Sequence, residues 1–83
     1  MHNQSNKNII GERLAKARKL SGRGITQLDL ADKVTAMGVK IDRAGIAKIE
    51  TGIRHVLDYE VVALSKVLKV DPVWLLTGKK GRK

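Results

Sequence analysis

The stretch DRAGIAKIETG, residues 42–52, sets Arg43 and Lys48 among small and aliphatic residues. Arginine carries a planar, permanently charged fork of donors that fits a phosphate or the O6/N7 edge of guanine; lysine is a point charge with three donors. On a helix Ala44 and Lys48, four apart, share a face, with Arg43 and Ala47 alongside. Gly45 sits among them, although glycine inside a helix costs roughly 0.5–1 kcal/mol relative to alanine. Two readings of this small surface are open. Ala44 and Gly45 let the backbone press close to base edges or a sugar-phosphate wall, with alanine methyls against thymine methyls. Alternatively, the glycine is simply tolerated because early helical positions are weakly constrained.

No other group of residues supports chemistry. There is no glycine-rich phosphate loop with its lysine, and no nucleophile with a base at a suggestive spacing. The chain has no cysteine, and His2 and His55 stand alone, so neither a metal site nor a cofactor is expected. An enzyme is not expected.

The charge points to a partner class. Seventeen Lys and Arg face eight Asp and Glu, a formal net charge of +9. Lys79, Lys80, Arg82 and Lys83 of the tail GKKGRK supply four of these charges, which leaves +5 on the rest of the chain. A basic small domain suits a polyanion, nucleic acid first and an anionic membrane second. A basic protein with no polyanionic partner is the plainer alternative. No apolar run approaches the ~18 residues of a membrane span, and MHNQSNKN lacks the apolar stretch of a secretory signal. A cytoplasmic location is expected. Residues 1–8 read as a flexible polar arm, 9–78 as one domain and 79–83 as a flexible basic tail.

Five helices are predicted to position these residues. The first follows Asn8 as N-cap, with Ile10, Leu14, Ala17 and Leu20 on one face, and ends near SGRG. The second starts at Thr26 and Asp29, a pattern close to a capping box, before Leu30, Ala31 and Val34; Met37 could extend it to Gly38. The third runs from Asp42 as cap to Gly52. The fourth starts at Asp58 and aligns Val61, Leu64 and Leu68. The fifth has Asp71 as cap, Pro72 at its first position and Gly78 at its end. Ala31 lets the third helix approach closely, with Ile46 and Ile49 on Leu30 and Val34. A helix pair joined by a turn, its second member basic outside, is the DNA-reading arrangement; an ordinary helical hairpin facing water is the alternative.

IIGERLAKARKLSG, ITQLDLADKV, IDRAGIAKIETG and LDYEVVALSKVLKVDPVWLLTG together resemble the phage-repressor-type helix-turn-helix, the Cro/CI or XRE family. The resemblance spans roughly residues 9–78. It implies an all-α, five-helix, lambda-repressor-like domain that binds a near-palindromic double-stranded operator, usually as a homodimer. One departure is plain: TAMGVKI separates Val34 from Asp42, about five residues more than the family's usual link. A longer second helix and a wider turn would absorb them, and a subgroup of bacterial and phage-borne regulators shares such a link.

The resemblance also implies residue roles. Arg43, Ala44, Gly45, Ala47 and Lys48 face the bases, with Arg43 entering the groove. Thr26, Gln27, Lys40, Thr51 and Arg54 face phosphates, with Gln27 as a clamp at a helix start; His55 is a weaker candidate. Glu50 turns inward and pairs with Arg18 as a structural ion pair. Trp74 either packs on the first helix or anchors a dimer with Leu75 and Leu76. The expected function is that of a transcriptional regulator, a repressor in kind. The alternatives are an antitoxin-like protein-interaction module on the same fold and nonspecific coating of nucleic acid.

Overall fold

A computed structural model describes residues 6–22 and 24–80. Within them lie five helices: α1 (Gly11–Leu20), α2 (Gln27–Ala36), α3 (Arg43–Glu50), α4 (Asp58–Leu68) and α5 (Pro72–Thr77). The all-α expectation and the starts of α2 to α5 hold, while α1 begins two residues later than an N-cap at Asn8 implies. Most of the predicted arm and of the basic tail, with His2, Arg82 and Lys83, lies outside the described residues.

Local chemistry accounts for the helix ends. Asn8 Oδ1 accepts the backbone N–H groups of Ile10 and Gly11 at 3.0 and 2.8 Å, so Asn8 caps α1 from just ahead of it. At α2, Thr26 Oγ1 accepts Asp29 N–H and Asp29 Oδ2 accepts Thr26 N–H, at 3.0 and 3.1 Å, a complete capping box. Asp42 and Asp71 accept from Gly45 and Val73 to start α3 and α5.

Helix α2 stops short of Gly38. Gly38 takes φ +94, and the N–H groups of Gly38 and Val39 return to the carbonyls of Thr35 and Val34. These are the two bonds of a Schellman ending, which needs the left-handed conformation that glycine adopts without penalty. The long link is therefore a turn and irregular chain after a helix of 10 residues, and the longer second helix expected above does not form. It is anchored by Ile41, which is only 3% exposed, and by half-buried Val39.

Leu14, Leu30, Ile46, Ile49, Leu64 and Leu75 form the centre of the core. Helix α3 packs against α2 and α1, and α4 against α2 and α5. Leu20 departs from its predicted face and is 70% exposed. At 100° per residue it lies roughly 80° from the direction of Ile10, while Leu14 and Ala17 stay closer to it. Leu75 is fully buried, so it cannot anchor a dimer, and half-buried Trp74 packs on the core beside it.

The residues just before α1 are held in place. Lys7 N–H donates to Gly52 O at 2.7 Å, and Asn8 Nδ2 donates to the carbonyls of Ile49 and Arg54. The end of the predicted arm thus fastens α1 to the turn after α3. Arg13 fastens the other side, donating to the carbonyls of Leu75 and Leu76 at the end of α5 and to Ile9 O. Among the described residues, no helix is long and apolar enough to cross a membrane.

Candidate nucleic-acid interface

The outward side of α3 carries two cations and little else. Arg43, Ala44 and Lys48 are exposed, and Ala47 is half-buried. Among the described residues, neither Arg43 nor Lys48 forms a salt bridge. Ile46 and Ile49, on the opposite side, are wholly buried. The helix is therefore held by its apolar face while its cationic face stays available.

Gly45 does not belong to that outward face. A Cβ built there would lie 3.0 Å from Ile41 Cγ2, 3.1 Å from Asp42 Oδ1 and 3.8 Å from Arg54 Nε. The position looks back toward the link, its own cap and the loop after α3. Its small size serves packing inside the protein, which removes Gly45 from the base-facing set. Ala44 alone retains the close-approach reading.

Helix α2 starts beside the end of α3. Gln27, the first residue of α2, donates from Nε2 to Glu50 Oε1 at 3.0 Å. Among the described residues, its second amide hydrogen and its Oε1 remain for another partner. Glu50 also takes Arg18 Nε at 2.6 Å and Arg18 Nη2 at 3.1 Å. The pair is largely removed from solvent, with side-chain exposures of 11% and 7%. Its hydrogen bond to Glu50 holds the Arg18 guanidinium above its ordinary range. Arg18 Nη1 donates further to Ile25 O, so one guanidinium ties α1, the loop before α2 and the end of α3. Arg18 and Glu50 thus meet as the resemblance implied.

Arg54, expected to face a phosphate, has a partner inside the protein. Its Nη1 and Nη2 donate to the two carboxylate oxygens of Glu60, each at 2.9 Å, and Nη1 also donates to His55 O. Glu60 is buried, with 4% side-chain exposure, and accepts Leu57 N–H as well. Both terminal nitrogens of Arg54 are thus engaged in holding the fold, while its side chain keeps 30% exposure. Arg54 holds the Glu60 carboxyl below the usual carboxylate range, against the opposing effect of burial. Sequence reasoning missed Glu60. The available signal was a glutamate three residues after Leu57 at a helix start, with a free arginine six positions earlier.

The remaining predicted phosphate ligands differ in readiness. Lys40 is exposed on the link just ahead of the Asp42 cap. Thr26 is exposed, but its hydroxyl oxygen already accepts within the capping box. Thr51 is exposed, and its hydroxyl donates to Ala47 O at 3.0 Å, a bond that a phosphate would have to displace.

Residues 11–81 match the family described as "Helix-turn-helix domain". Among solved structures, the chain is similar to the P22 c2 repressor protein, determined in complex with synthetic operator 9T in the presence of Tl+. The two share 30% sequence identity with a TM-score of 0.70, over 87% of this chain and 98% of that one. No curated protein matches the sequence.

Proposed function

Since the chain belongs to the helix-turn-helix family and has the phage-repressor-type, Cro/CI-like fold, we propose that it binds double-stranded DNA sequence-specifically as a cytoplasmic transcriptional repressor. The observation that carries this reading is the exposed cationic side of α3, without a salt bridge among the described residues and displayed by a helix whose other side is sealed in the core. In the major groove, Arg43 donates to base edges, Ala44 and Ala47 offer methyl contacts, and Lys48 reaches a base or a phosphate. Lys40, Thr26 and Thr51 face the sugar-phosphate backbone. Gln27 offers its remaining amide hydrogen to a phosphate beside the N-terminus of α2.

A homodimer completes the proposal. Two copies would present their α3 helices about 34 Å apart, on successive turns of a near-palindromic site. The exposed apolar residues of α4 and α5, Tyr59, Val62, Val73 and Leu76, supply surface for such an interface. No enzymatic activity is proposed.

The test is selection of bound duplexes from a random pool. The reading predicts a recovered consensus of two related half-sites. Recovery of duplexes without any shared sequence would leave only charge-driven coating, and recovery of none would refute DNA binding.

A further inference from the structure

Gly45 and the long link carry an inference that rests on the DNA reading above. Position 45 lies in the first turn of α3, the same turn as Arg43. Three parts of the molecule meet there: Ile41 from the link, the Asp42 cap, and Arg54 from the loop after α3. Each of the three is engaged within the fold, with Arg54 at ordinary contact distance and the other two closer. Ile41 is 3% exposed, within the core. Asp42 Oδ1 already accepts Gly45 N–H at 2.7 Å. Arg54 is held by both oxygens of Glu60.

We propose that the link seats the reading helix through the Ile41–Gly45 contact, and that this contact sets how deeply Arg43 enters the groove. Ile41, which directly precedes the Asp42 cap, thereby acquires a role: it sets a β-branched side chain against the first turn of α3. Helix propensity alone makes alanine the better residue at position 45. The seat opposes it, because a Cβ 3.0 Å from Ile41 Cγ2 is too close for two packed carbons, so one of them must move. The far end of α3 is fixed as firmly. A Cβ on Gly11 of α1 would come 2.5 Å from Ile49 O, a backbone atom. An added methyl at position 45 therefore cannot be absorbed by sliding α3 along its axis. It tilts the first turn, and Arg43 with it. Gly45 is a positioning residue that touches no base.

The experiment compares wild type, Gly45→Ala, Ile41→Leu and the double variant. Leucine nearly conserves the volume of isoleucine but lacks the branch methyl that position 45 faces. Each protein is titrated with the duplex selected by the wild type, with its single-base-pair variants and with random-sequence DNA, alongside chemical denaturation. Gly45→Ala is expected to lose about tenfold in affinity for the selected duplex, the scale of one weakened base contact. Its profile over the base-pair variants should change, and its affinity for random DNA should not. The double variant should recover most of the tenfold.

A Gly45→Ala protein with wild-type affinity and profile overturns the seat, as does a loss that Ile41→Leu leaves unrecovered. If Gly45→Ala does not fold, the double variant must fold and bind; its failure also overturns the proposal. Wild type selecting no sequence overturns the DNA reading itself, an outcome distinct from each of these.

Discussion

At the scale of residues, the outward cations of α3 and the polar groups at the start of α2 are built differently, and their loss should be felt differently. Arg43 is exposed and forms no salt bridge among the described residues. In the groove its fork can discriminate one base pair by about 1–3 kcal/mol. Replacing Arg43 by Ala should relax preference at one position of each half-site, read from affinities for a series of base-pair variants. Gln27 sits at the helix start with one amide hydrogen already given to Glu50. Replacing Gln27 by Ala should weaken all sequences alike. Equal losses across the series for both variants would refute that division. Arg54 belongs to neither class. Its removal leaves the Glu60 carboxylate buried without its partner. Arg54→Ala should cost about 3 kcal/mol of folding stability, the low end for breaking a buried pair, because Arg54 is itself 30% exposed. Denaturation in the absence of DNA checks this, and unchanged stability with lost DNA binding would return Arg54 to the phosphate ligands.

At the scale of elements, what the sequence makes legible is what a helix end needs within three or four residues. Thr26 with Asp29, Asp42, and Asp71 with Pro72 each announce a start through a local bond that the structure contains. The inward stripe Ile46–Ile49 is equally local. The inward setting of Gly45 and the Arg54–Glu60 pair are not legible in the sequence, because they depend on the path of the link and of the loop after α3. Spacing along the chain does not encode those paths. Arg18 and Glu50, 32 residues apart, were paired by family resemblance and not by pattern. The caps also carry an acid dependence. The carboxyl of Asp29 lies below its usual range because the Thr26 backbone N–H donates to it, and that of Glu60 because of Arg54. A carboxylate depressed in the folded state stabilises it fully above its unfolded pKa. That contribution is lost as pH falls through the folded value, so the window opens below about pH 4. The melting temperature should fall in that window, and Glu60→Gln, although less stable at neutral pH, should show a shallower fall. Parallel slopes for the two proteins would remove Glu60 from the acid response.

At the scale of the whole molecule, a net charge of +9 on 83 residues sets the long-range behaviour. In the proposed complex, each phosphate neutralised adds about −0.9 to the slope of log affinity against log salt. Lys40→Ala should therefore weaken binding to all duplexes similarly and make that slope shallower by about one. An unchanged slope would place Lys40 off the backbone. The charge also favours coating without specificity, so the decisive question is which surface the duplex touches. Titration of labelled protein with the selected duplex, followed by amide chemical shifts, answers it most directly. The account predicts that the largest changes fall on residues 43–48 and at the start of α2, with smaller ones along the link near Lys40. Large changes confined to α4 and α5, with α3 unmoved, would contradict it.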